Sequence, residues 1–156
     1  MRWTAGLLAI TILLASCAPS LTQEVESAKQ TVITYFDLLS KGEYAAADAL
    51  YGGDYEALAS VNPVLDPADH AALWQNGCHL NGWQCLSVRS AILKEQHGDV
   101  FTFLVEFNNS DGSLFVRGPC CGASETEMPP ESTFEFRVIK SVEGHFKVLD
   151  LPVFVP

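Results

Sequence analysis

The sequence predicts an α+β domain in which N-terminal helices pack on a curved antiparallel sheet of four to five strands. Three observations carry this. Between residues 25 and 39 apolar side chains recur at three- and four-residue intervals; after Gly77 the apolar period falls to two; and turn residues separate the successive alternating runs. The helices come first along the chain and the strands follow.

Ahead of the domain, Arg2 is the only charge before Cys17, and Leu7 to Leu14 form an apolar run of eight residues. This is the layout of a secretory signal. A spanning helix needs about 20 apolar residues, and Pro19 and Glu24 follow closely, so the run is too short to cross a membrane. Residues 1–16 are expected to form a signal peptide and 17–23 a short polar tether. The run closes on Leu14-Ala15-Ser16-Cys17, which resembles the lipobox of bacterial lipoproteins. That resemblance implies cleavage before Cys17, diacylation of its sulfur with palmitate-type chains and acylation of the new amino group. Two or three such chains hold a protein stably on a bilayer. The expected location is the bacterial cell envelope, facing away from the cytoplasm. Ala18 rather than aspartate follows the cysteine, which by the same resemblance favours the outer membrane in a cell that has two.

Cleavage before Cys17 would leave 140 of the 156 residues, enough for a single domain over 24–156 with its own core. The chain carries 9 basic and 19 acidic residues, a net charge of −10, and loss of Arg2 with the leader takes it to −11. No basic run exists. Such a surface is unsuited to nucleic acid or anionic headgroups, because phosphate binding needs clustered Lys and Arg. Scattered acidic residues serve solubility. The membrane is thus reached through the lipid, and the remaining partner expected is a small apolar ligand or an envelope protein.

Taken in order, Ser20 and Gln23 have capping-box spacing and open a helix. Val25, Ala28, Val32, Ile33, Tyr35, Phe36 and Leu39 form its apolar stripe, and it ends near Ser40, with Gly42 as its stop. Glu43 to Tyr51 is read as a second helix with Tyr44, Ala47 and Leu50 or Tyr51 inward. Asp54 is read as the cap of a helical turn carrying Tyr55 and Leu58, which Asn62-Pro63 stops. Asp66-Pro67-Ala68-Asp69 reads as a further helix start, with Asp66 as cap and Pro67 at the first helical position. That helix is expected to reach Gln75 and to end at Gly77.

Leu86, Val88, Ala91 and Leu93 alternate but change phase near Ser90, which predicts a strand with a bulge, turned by His97-Gly98-Asp99. Phe101, Phe103, Val105 and Phe107 give the next strand an aromatic face, and its other face is partly apolar, so it is placed at the centre of the sheet. Leu114 to Val116 is read as a short strand. Gly118 to Ser132 is a loop, and Phe134 to Val138 with Phe146 to Leu151 closes the fold as a hairpin.

The whole arrangement resembles the cone-shaped fold of nuclear transport factor 2-like proteins. The residues carrying the resemblance are Ala28 to Gly42 (AKQTVITYFDLLSKG), Glu43 to Leu50 (EYAAADAL) and the hairpin from Phe134 to Leu151. It implies a curved sheet wrapped on a long first helix, and it is shared with small bacterial lipoproteins. It does not supply an activity.

With Cys17 taken by lipid, Cys78, Cys85, Cys120 and Cys121 remain, an even number in an exported chain, and disulfides are expected. Four cysteines allow three pairings. A Cys120–Cys121 bond is strained, because adjacent Cα atoms lie about 3.8 Å apart, below the usual disulfide range. The two cross-pairings are therefore favoured, with a Cys78–Cys85 bridge beside a reduced or strained Cys120–Cys121 pair as the alternative. Zinc on these thiolates, with His79 as a spare ligand, lacks Cys-x2-Cys knuckles and is set aside; no metal and no cofactor are expected.

Enzymes of the cone fold, ketosteroid isomerase and related dehydratases, use an aspartate or histidine projecting into the space between sheet and helices. Candidates here are Asp66, Asp69, His70, Glu106, Tyr35 and Tyr44. Each has a plainer role: Asp66 and Asp69 start a helix, His70 faces solvent, and both tyrosines fit an amphipathic stripe. Tyr35, Phe36, Trp74 and Glu106 are the residues expected to line a pocket, if the space is open. The sequence thus favours a noncatalytic binding or interaction domain, with an isomerase or dehydratase as the alternative and a thiol or metal protein as the third class.

Overall fold

The computed structural model describes residues 20–156. The expected signal peptide and the expected lipidation site Cys17 lie outside them, as does the start of the expected tether. The remainder of that tether, Leu21 to Gln23, is already helical. α1 (Leu21–Ser40) is followed by three short helices, α2 (Tyr44–Asp48), α3 (Glu56–Ser60) and α4 (His70–His79). Four strands come after them: β1 (Ser87–His97), β2 (Val100–Asn108), β3 (Phe134–Lys140) and β4 (Phe146–Val148). They form one antiparallel sheet in the order β1-β2-β3-β4. The class is α+β, helices on one antiparallel sheet, consistent with a cone-like fold. No described helix is long and apolar enough to cross a membrane.

α1 begins where its cap predicts: Ser20 Oγ accepts from the Gln23 N–H at 3.3 Å. Its stripe of Ala28, Val32, Tyr35, Phe36 and Leu39 is buried against the sheet. Phe36 fits edge-on between Phe107 of β2 and Phe136 of β3, with centroids 4.7 and 4.8 Å away. Burying one such ring contributes about 1.5 to 3 kcal/mol. At the other end of the helix, Lys140 Nζ at the close of β3 binds Glu24 Oε1 at 2.6 Å and fastens the first turn to the sheet.

β2 is interior to the sheet, with Phe101, Thr102, Phe103, Val105 and Phe107 buried. The phase change in β1 is a real irregularity: register shifts fall between Val88 and Ser90 and again between Leu93 and Glu95. Two such bulges bend a strand and increase its twist.

Several boundaries differ from expectation. Asp66 and Pro67 form a separate turn, in which Asp66 Oδ1 accepts from the Ala68 N–H; the cap of α4 is Asp69, which accepts from the Ala72 N–H. α4 continues through Gly77 to His79. Gly77 is buried, and a Cβ there would come within 2.7 Å of Leu58 Cδ2, so this glycine allows α3 to approach α4 and does not stop the helix. α3 is preceded by Tyr55, while Asp54 Oδ1 accepts from the Glu56 N–H two residues on. Leu114 to Val116 does not become a strand. It contributes one bridge, Asn108 to Leu114, and the expected strand count settles at four.

The cross-pairing of cysteines is overturned. Cys78 at the end of α4 is bonded to Cys85, with Cα atoms 5.4 Å apart, while Cys120 and Cys121 are free. The continuation of α4 to residue 79 and the return of the chain through Gly82 bring Cys78 back to Cys85. The C-terminal segment holds that return in place: Gln84 N–H donates to Val153 O and Val155 N–H to Gly82 O.

Candidate functional site

The residues expected to line an interior pocket are core instead. Tyr35, Phe36 and Trp74 have no solvent exposure. Tyr35 meets Trp74 and Phe36 edge-on and stacks on Tyr51, with centroids 6.0, 4.9 and 6.0 Å apart. Glu106 is partly buried on β2 and accepts from Ser90 Oγ of β1 at 2.8 Å. The main clefts on the described residues open elsewhere, and these four side chains are not among their lining. Phe101, Phe103, Val105 and Phe107 on the inward face of β2, with the aromatic rings of α1, fill the space the cone would otherwise enclose.

The polar chemistry lies on the seam between α2 and α4. Tyr44 and Asp48, four residues apart, stand one turn from each other on α2, and each meets a histidine of α4. At one end Tyr44 Oη and His79 Nε2 are 2.9 Å apart. At the other, His70 Nδ1 lies 3.1 Å from Asp48 Oδ1, so His70, expected to face solvent alone, is paired and only partly exposed. The same carboxylate oxygen accepts from Tyr55 Oη, and Tyr55 Oη in turn accepts from Trp74 Nε1 at 3.3 Å. The result is a chain running from the fully buried indole to an imidazole at the surface.

Burial drives the electrostatics of this cluster. Desolvation, followed by the hydrogen bond to Asp48, pushes the Tyr55 hydroxyl well above the ordinary tyrosine range. Tyr51 is raised by burial and then by Asp54 and Asp150, and it donates to the Asp54 carbonyl at 2.8 Å. Tyr35 is also raised, by complete burial first, and its hydroxyl has no hydrogen-bond partner among the described residues. Tyr44 is raised by partial burial alone.

Beside the Tyr44–His79 end opens a cleft of about 390 Å3. Leu39, Trp83 and Leu86 supply apolar walls, the Cys78–Cys85 disulfide borders it, and Ser40, Lys41 and Gln84 lie at its rim. Its size falls in the range of small-molecule sites, and its surface is mixed, with polar atoms taking the larger share. Among the described residues no group of three or more His, Cys, Asp or Glu side chains could hold a metal ion.

Of the sequence candidates, the structure brings His70 and Tyr44 to this seam and leaves Asp66 and Asp69 as turn and cap residues. Sequence reasoning misses Asp48, Tyr51, Tyr55 and the pairing role of His79. The four-residue spacing of Tyr44 and Asp48 is the available signal, but without the register of α4 it names no partner. No protein-family model matches this chain, and no curated protein matches it.

Proposed function

We propose that this chain is a bacterial lipoprotein of nuclear transport factor 2-like fold, anchored through Cys17, whose outward-facing domain binds a small apolar ligand or an envelope protein without chemical conversion. The observation that carries the binding reading is the pairing of a filled interior with the disulfide-bordered cleft: a recess with both polar and apolar lining is presented outside the packed core, not within it. A disulfide in a chain with a secretory leader supports an oxidising compartment. The anchor is close to the domain, since four residues from Cys17 to Leu21 reach at most about 14 Å. The cleft favours a compact ligand with an apolar part against Trp83 and Leu86 and hydrogen-bonding groups facing Tyr44, His79 and the polar rim.

The isomerase or dehydratase alternative draws on one observation, the Asp48–His70 pair, in which a carboxylate engages Nδ1 and leaves Nε2 available. The packed residues between α1 and the sheet weigh against it, because such chemistry needs an enclosed chamber around the acid or base.

Two measurements test the proposal. Cells making the Cys17→Ser form should release the domain from membranes that retain the parent. For the cleft, an apolar fluorescent probe such as anilinonaphthalene sulfonate should bind the parent and quench or transfer from Trp83, which lines the cleft; Ser40→Trp, which fills the rim, should abolish that signal. Equal probe binding by both forms would remove the cleft from the reading.

A further inference from the structure

The loop between β2 and β3 holds two cysteines whose geometry the lipid anchor and the cleft leave unused. Its base is clamped by the bridge between Arg117 and Glu131: each N–H donates to the other's carbonyl, at 2.8 and 2.9 Å, and Arg117 Nη2 reaches Glu131 Oε2 at 2.5 Å. The Arg117 guanidinium also lies over the Phe134 ring, 5.4 Å from its centroid. Above this clamp, Cys120 is half-buried, Cys121 is exposed, and their Sγ atoms are 2.7 Å apart. Neighbouring side chains on an extended chain point to opposite sides. Here Cys121 takes φ +61, the one positive φ among the described non-glycine residues, and the two thiols meet. For a residue with a Cβ that conformation is disfavoured, a local strain of the kind associated with functional sites. The other two described cysteines are bonded to each other and do not compete.

We propose that Cys120 and Cys121 form a dithiol–disulfide site that exchanges electrons with the disulfide of a partner molecule. The exposed Cys121 thiolate attacks one sulfur of the partner R–S–S–R and expels RS⁻, giving a mixed disulfide. Cys120 thiolate then attacks the Cys121 sulfur, expels the second RS⁻ and closes the Cys120–Cys121 bond. Two electrons pass from the cysteine pair to the partner, and the two protons released by the cysteines complete two R–SH molecules. The order of attack follows from exposure, and it agrees with the hydrogen bond that the Cys120 S–H donates to Cys121, which raises the Cys120 thiol and keeps it protonated until the first step is over. The reverse reaction reduces the pair. Adjacent Cα atoms lie closer than the usual disulfide range, so this bond opens more readily than Cys78–Cys85.

The full chain, isolated from membranes and treated with limiting phosphine, should recover thiols at Cys120 and Cys121 while Cys78–Cys85 stays closed. Oxidised glutathione should then remove both thiols together, with loss of two hydrogens from the peptide that holds them and no retained glutathione. In Cys120→Ser, glutathione should remain on Cys121, because nothing resolves the mixed disulfide. In Cys121→Ser, the remaining thiol should react about tenfold more slowly, being less exposed. The proposal is overturned if the parent retains glutathione as Cys120→Ser does, if both thiols survive excess oxidant, or if the bond forms between two chains.

Discussion

Tyr55 lies flat against His70, ring centroids 3.7 Å apart and planes within 10° of parallel, and both rings direct a polar atom at the same oxygen, Asp48 Oδ1. One carboxylate therefore orients two rings from different elements, and the buried Trp74 indole N–H donates to the first of them. Tyr55→Phe keeps the stack and removes both bonds. It should destabilise the fold by about 1 to 3 kcal/mol, chiefly through the unsatisfied indole N–H. Urea midpoints for Tyr55→Phe, Asp48→Ala and the double variant should show coupling of about 0.5 to 3 kcal/mol; strict additivity would mean the cluster does not act as a unit.

Tyr35 makes the opposite prediction at a position just as deep. Its ring is fully packed but its hydroxyl is unpartnered among the described residues, so the desolvation of that group is uncompensated. Tyr35→Phe retains the edge-on contacts with Phe36 and Trp74 and should leave stability unchanged or raise it, by up to about 2 kcal/mol. A clear loss in the urea midpoint would show that the hydroxyl is satisfied in solution.

The chain has four tyrosines, and all four are held above the ordinary tyrosine value: Tyr35, Tyr51 and Tyr55 by burial first and neighbouring acidic or tyrosine groups second, Tyr44 by burial. A folded-state value above the unfolded one means the native form keeps its proton longer. The stability this represents is complete below about pH 10, the unfolded tyrosine value, and is lost as pH rises from there towards the folded values. Absorbance at 295 nm should therefore show less tyrosinate in the folded protein at pH 10 than in the denatured chain, with Tyr35, Tyr51 and Tyr55 still protonated. Most tyrosinate should appear in one step, coincident with the loss of far-ultraviolet circular dichroism. Independent titration near pH 10 with the fold intact would contradict the burial of the cluster.

Features confined to one element are legible in the sequence, and features made by two elements are not. Ser20 and the stripe from Ala28 to Leu39 specify α1 within one element, and the phase change near Ser90 marks the bulge in β1 with no knowledge of its partner. The α+β class follows from such signals. Gly77 misleads because its reason for being glycine is the approach of Leu58 from another helix, and a stop and a close contact look alike in sequence. The cysteine pairing is hidden for a similar reason: the extension of α4 past Gly77 is what carries Cys78 to Cys85. The site is least legible. Asp48, Tyr55 and His70 are 22 residues apart at most along the chain but meet through the antiparallel placement of α2 and α4, and helix spacing alone cannot supply that.

Two glycines of positive φ separate conformational cost from close approach. Gly98 has φ +59 and open space around it, whereas Gly82 has φ +87 and a Cβ there would strike the Val155 carbonyl oxygen. Gly98→Ala should cost about 1 to 2 kcal/mol, the left-handed penalty alone. Gly82→Ala should cost more, because it also displaces the C-terminal segment whose Val155 N–H donates to Gly82 O. Equal losses in thermal unfolding would mean that the segment moves without resistance.

The Cys78–Cys85 bond spans a sequence separation of seven residues, and the loop it closes carries Trp83, buried against Phe154 of the C-terminal segment. A loop this short restricts the unfolded chain modestly, so Cys78→Ala with Cys85→Ala should cost about 2 to 3 kcal/mol. The native loop has other attachments, from Trp83 N–H to Gly77 O and from Gln84 N–H to Val153 O, and the fold should therefore persist under non-denaturing conditions. What changes locally is the border of the cleft beside Tyr44 and His79. Loss of stability without loss of probe binding would separate the bond's thermodynamic role from the shape of the cleft. Loss of both in proportion, at denaturant concentrations far below the unfolding midpoint, would show that the bond also holds the cleft open.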